Sequence, residues 1–159
     1  MTARPSAVFD CNVFLQAMLS THGAAHACWQ RVVDDKVVLY VSPFILAEIR
    51  SLPSHKKLLR FSQFTPERVE RFIEELMEIA QLVADPSPVF NYPRDPDDAI
   101  YVDLAVATGS LLIVTSDKDL LELMNDANPE GKALRSFHPT FQVLTPPQFL
   151  EFVASGPSI

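Results

Sequence analysis

Cysteine is close to absent. The chain of 159 residues has two, Cys11 and Cys28, in apolar surroundings and at a spacing that forms no metal site. Both are therefore expected to be small buried hydrophobes in a protein of a reducing compartment. Positive charge is also short: 13 Lys and Arg stand against 20 Asp and Glu, giving a net charge of −7 and a pI near 5.0. That balance argues against a module that holds DNA or RNA by bulk electrostatics. It leaves room for an enzyme that meets phosphate through a divalent cation, because the cation reverses the local field. No apolar run approaches the roughly 18 residues of a membrane span. Residues 1–6 are polar, and the apolar run behind them is too short for a signal peptide. A cytoplasmic protein that engages no membrane is the expectation. Internal repeats and low-complexity tracts are missing. His22, His26, His55 and His138 show no metal spacing and are assigned surface or structural roles.

Hydrophobic residues make up 48% of the chain and charged residues 21%. This is globular composition, and the length suits one domain over residues 1–159 with a real core. Near-continuous apolar runs at 6–10, 37–41 and 111–115 read as strands, the last of them covered on both faces. A further strand is expected at 141–144 and brief pairing at 82–83. Helices are expected at 13–19, 24–34, after Pro43, from Pro66, at 96–108, around 118–124 and at 146–153, with a short basic one at 56–61. Ser42-Pro43, Thr65-Pro66, Asp95-Pro96 and Thr145-Pro146 each set a capping side chain before a proline at the first helical position, where no amide donor is needed. After Pro66, Val69, Phe72, Ile73, Leu76 and Met77 recur at three- and four-residue spacing, and this stripe is assigned to the core. Residues 85–94 are expected to form an ordered loop, and 125–139 to be the least ordered stretch. The alternation implies an α/β fold with a mostly parallel central sheet flanked by helices, whose right-handed crossovers bring the carboxyl ends of the strands to one edge.

Four acids fall at or beside that edge: Asp10 ending the first strand, Glu48 in the helix after the second, Asp98 in the helix begun by Asp95-Pro96, and Asp117 after the strand at 111–115. Each has an ordinary use. Asp10 and Asp117 suit helix caps, Glu48 suits a solvated helix face, and Asp97 and Asp98 complement a helix dipole. Those uses do not explain why three acids share one sheet edge with a fourth in the adjoining helix. Clustered carboxylates repel and are costly to bury, so four together call for a cation. Hard oxygen donors select Mg²⁺ or Mn²⁺, ions suited to phosphodiester hydrolysis.

Asp10-x-Asn12, Glu48 within Pro43-x-x-x-Ala47-Glu48-Ile49, the run Arg94-Asp95-Pro96-Asp97-Asp98-x-x-Tyr101-Val102-x-x-Ala105, and Val114-Thr115-Ser116-Asp117-Lys118-Asp119-Leu120-Leu121 resemble the PIN-domain nucleases. The nearest likeness is to the toxin components of toxin–antitoxin pairs, the VapC-like proteins, over residues 7 to about 145. The resemblance implies a PIN-like three-layer sandwich in which Asp10, Glu48, Asp98 and Asp117 form a metal-binding catalytic pocket supported by Asn12 and by Thr115 or Ser116. Ser116 stands where many relatives have glycine. Which of Asp97 and Asp98 is the ligand stays open, with the spacing to Tyr101, Val102 and Ala105 favouring Asp98. The resemblance further implies a Mg²⁺- or Mn²⁺-dependent endoribonuclease acting on single-stranded RNA, a homodimer, and inhibition by an antitoxin.

Arg50, His55, Lys56, Lys57 and Arg60 form a basic cluster just after Glu48, and Lys118 abuts Asp117. They could track an RNA backbone or balance an acidic surface. Phe61 and Phe64 could stack on bases, with burial expected for at least one. Two other readings compete. One is a PIN-like protein-interaction module that is catalytically silent. The other is a receiver domain, which needs a Lys after a separate late strand, whereas Thr115 and Lys118 here share one strand end.

Overall fold

Ala7, Val8 and Phe9 expose none of their surface, although successive strand residues face opposite ways. The strand they form, β1 (Ser6–Phe9), is thus covered on both sides. The computed structural model describes residues 4–155, so the outermost residues of the expected 1–159 domain lie outside the described ones. Besides β1 the sheet contains β2 (Val38–Val41), β3 (Gln81–Leu82), β4 (Leu112–Val114) and β5 (Gln142–Leu144), in the order β3-β2-β1-β4-β5. Every pairing is parallel, with Val8 opposite Tyr40 on one side and Ile113 on the other. The carboxyl ends of all five strands consequently share one edge.

The helices are α1 (Cys11–Leu19), α2 (Ala24–Val33), α3 (Pro43–Arg50), α4 (Pro66–Ile79), α5 (Ala99–Thr108), α6 (Lys118–Leu121), α7 (Pro129–Phe137) and α8 (Pro146–Ser155). An aromatic seam ties sheet to helices: Phe9 packs on Phe14 and Phe149 at 5.8 and 5.7 Å, and Trp29 on Phe72 at 5.1 Å. Such pairs contribute about 0.5–1.5 kcal/mol each beyond the area they bury. α5 lies against β1, β2 and β4, with Val102, Leu104 and Ala105 fully buried. Three of the four expected capping junctions start helices: Ser42 accepts from the Ile45 amide, Thr65 from Arg68 and Thr145 from Gln148.

The fourth does not. After Asp95-Pro96 the chain winds through successive bonds to the third residue back, from Asp98 to Asp95, Ala99 to Pro96 and Ile100 to Asp97, and the α-helix begins at Ala99. The stretch expected to be least ordered holds α7, whose N-cap, Asn128, accepts from the Gly131 amide at 2.8 Å. Asn128-Pro129 is the same device, a fifth time. Met77 leaves the core and is 52% exposed, because it sits beside the stripe of Val69, Ile73 and Leu76 rather than on it. The expected basic helix at 56–61 is reduced to one 3₁₀ turn, Lys56–Leu58. Cys11 and Cys28 are free, buried thiols, pushed up to about 12 by burial above all. No helix among the described residues is long and apolar enough to cross a membrane.

Candidate active site

A cavity of about 300 Å³ opens at the carboxyl edge of the sheet, and Asp10, Glu48, Asp98 and Asp117 all line it. Asp10 arrives there because β1 ends one residue before it, and its own amide still donates to Val114 of β4 at 3.0 Å. The side chain caps α1 through the Asn12 amide and accepts the Thr115 hydroxyl proton at 2.7 Å. Thr115 in turn accepts from the Asp117 amide at 2.9 Å, so one hydroxyl ties the ends of β1 and β4 together. Asp117 caps α6 by accepting from the Asp119 amide at 3.1 Å. The capping use and the cavity position coincide in both acids.

Glu48 is half-buried on α3, where its Oε1 accepts the Tyr101 hydroxyl at 2.6 Å. The same Tyr101 oxygen accepts from the Cys11 amide at 3.2 Å, joining α5, α3 and the start of α1. Asp98 differs from the others. Its Oδ2 is buried with no hydrogen-bond partner, and its carboxyl is pushed up to about 8 by burial first and then by the charges of Asp117 and Asp95. Burial also raises Asp10 and Glu48 despite the hydrogen bonds that pull them down.

Carboxylate oxygens of Asp95, Asp98, Asp117 and Asp119 lie within 4.8 Å of one another. Asp98 and Asp117 are among the four expected acids; Asp95, expected only as a cap, and Asp119 are not. Three residues per turn align positions three apart, so the winding at 95–98 sets Asp95 and Asp98 on one side and leaves Asp97 exposed on the cavity wall. Asp119 is partly neutralised by Arg94, at 2.9 Å. Asp10 and Glu48 line the same cavity but stand outside this tighter group. An all-oxygen donor set around an unpartnered buried carboxylate oxygen fits a hard divalent cation such as Mg²⁺ or Mn²⁺.

The supporting residues separate. Thr115 and Asn12 contact Asp10 as described, the latter through its backbone. Ser116 is exposed and lines a different cavity, because adjacent residues leaving a strand point opposite ways. Among the basic residues, Arg50 turns away to Glu70 of α4, with two bonds of 3.2 Å. The Arg60 guanidinium lies 4.8 Å over Phe61. Lys56, Lys57 and Lys118 are exposed, and His55 lines the acid cavity. Phe64 is buried, and Phe61 packs edge-on against it at 6.3 Å.

Comparison with known proteins agrees with this architecture. An uncharacterised protein of Methanocaldococcus jannaschii is 29% identical over 144 residues, spanning 91% of this chain and 88% of that protein. The crystal structure of VapBC2 from Rickettsia felis bound to a DNA fragment from their promoter superimposes with a TM-score of 0.51 at 10% identity, over 88% of this chain and 98% of that one. At that identity the likeness is one of fold. The PIN domain family matches residues 6–119, a span that takes in every residue lining the acid cavity, and the chain belongs to that family.

Proposed function

We propose that this chain is a divalent-metal-dependent endoribonuclease that hydrolyses phosphodiester bonds of single-stranded RNA at the acid-lined cavity. PIN domains are generally nucleases that use a divalent metal. The observation that carries the reading is the Asp98 carboxylate, buried with an unpartnered oxygen among other acids, an arrangement that is costly without a cation. Asp98 and Asp117 would hold Mg²⁺ or Mn²⁺, with Asp10 and Glu48 completing the catalytic acidic wall. When bound, such an ion lowers the pKa of a water and neutralises charge on phosphate oxygens.

The chain's own residues keep this wall in place. Thr115 holds Asp10 and the Asp117 backbone in one register, and the Tyr101 hydroxyl fixes Glu48. Lys56, Lys57 and Lys118 would meet the strand's phosphates. The family resemblance extends the proposal to a cytoplasmic homodimer acting as a toxin, held in check by a cognate antitoxin. The fold likeness to VapBC2 supports that protein partner.

The test is cleavage of a labelled single-stranded RNA by purified protein with Mn²⁺ and with EDTA. Mn²⁺-dependent cleavage is expected, falling at least about a hundredfold in Asp10→Asn and Asp117→Asn at unchanged circular dichroism. RNA left intact by the Mn²⁺-loaded wild type would remove the enzyme and favour a silent interaction module.

A further inference from the structure

We infer that a second cavity, of about 440 Å³, receives one base of the RNA strand whose phosphate lies in the acid cavity. The inference rests on the nuclease reading above and adds a binding site to it. The two cavities draw lining residues from the same two segments, α1 and the chain after β4. α1 gives Asn12 and Leu15 to the acid cavity and Gln16 and Leu19 to the second. Residues four apart on a helix stack on one face, so Asn12 to Gln16 and Leu15 to Leu19 make one continuous surface between them. On the other side the chain leaving β4 gives Asp117 to the acid cavity and Ser116 to its neighbour. A strand laid along α1 passes from one to the other.

The lining fits the neutral part of a nucleotide. It contains no charged side chain, although the chain as a whole is acidic, and this selects the base over the phosphate. Leu19, Ala24 and Pro147 offer apolar surface for a flat ring, while Gln16, Ser116 and Thr145 bring polar groups. Gln16 and Ser116 are exposed, so an amide donor and acceptor and a hydroxyl are open to a base edge. Unstacked bases of single-stranded RNA are recognised by this combination of contacts, and the cavity falls within the ordinary size of ligand sites.

The experiment is Mn²⁺-dependent cleavage of a single-stranded RNA pool of randomised sequence, with the new ends mapped by sequencing. Wild type is expected to favour one base at a fixed position beside the cut. Gln16→Ala is expected to weaken that preference about tenfold, the scale of one lost hydrogen bond, while total cleavage persists. Gly23→Tyr, at the cavity wall, should do the same by filling it. Its backbone has φ −86° and a Cβ there meets nothing within 4 Å, so the fold accommodates the change. Cleavage with an unaltered base preference in both variants overturns the base site and leaves the nuclease standing. A uniform fall in cleavage with the preference intact overturns it too, since it would mark α1 as positioning the acids. No cleavage by the wild type overturns both readings.

Discussion

Asp98 holds its proton to about pH 8 in the folded chain but would lose it near 3.8 when unfolded. Between those values the folded state binds the extra proton, so the contribution to stability is complete below 3.8, declines as pH rises and is gone above about 8. Asp10 and Glu48, raised chiefly by burial, add to the same slope. EDTA-treated protein is therefore expected to lose resistance to urea from roughly pH 5 to about 8, the upper part of that window. Asp98→Asn should flatten the decline, and Mn²⁺ should restore the wild type at the alkaline end. Tyr101 gives a separate expectation. Its hydroxyl serves both the Glu48 carboxylate and the Cys11 amide, so Tyr101→Phe strands two groups at once. A loss of about 1.5–3 kcal/mol is expected in denaturant titration, with the parallel sheet intact by circular dichroism.

Helix starts were readable where a hydroxyl preceded proline, at Ser42, Thr65 and Thr145, because one short side chain and one fixed φ decide the geometry locally. Asp95-Pro96 carries the same letters and misleads. The pull there is tertiary: Asp98 goes inward to join Asp117, and the chain tightens to three residues per turn to let it. Four cavity acids were legible from two strand ends and two expected helices, whereas Asp95 and Asp119 join through that tightening and through the α6 cap, which no spacing rule foresees. Polarity hid α7, although Asn128-Pro129 announced it. Asn128 is buried, caps the helix and donates to the Tyr92 hydroxyl at 3.4 Å, so Asn128→Ala is expected to cost about 1–2 kcal/mol. Gly131→Ala should cost at least about 2 kcal/mol, since its Cβ would come within 2.1 Å of the Leu123 carbonyl oxygen. Thermal melts of the two variants test the pair.

Under the proposed function, the distribution of charge leaves few cations to meet RNA. With net charge −7, Arg50 taken by Glu70 and Arg60 lying over a ring, Lys56 and Lys57 are the exposed cations that follow the cavity-lining His55 in sequence. In an Asp10→Asn background, Lys56→Ala with Lys57→Ala is expected to weaken binding of single-stranded RNA. Each lost phosphate contact should reduce the slope of log affinity against log salt by about 0.7, read by fluorescence anisotropy. A slope that does not move would place the strand elsewhere on the surface.

β1 is the first strand made, yet β4, one of its two neighbours, comes fourth in the chain, and Thr115 reaches back 105 positions to hold Asp10. While the polypeptide is still emerging from the ribosome, the acids of its first half have no partners to gather around. The acid cavity can thus come into being only after translation has passed β4 and Asp117, so a shorter nascent polypeptide holds no more than a fragment of the wall.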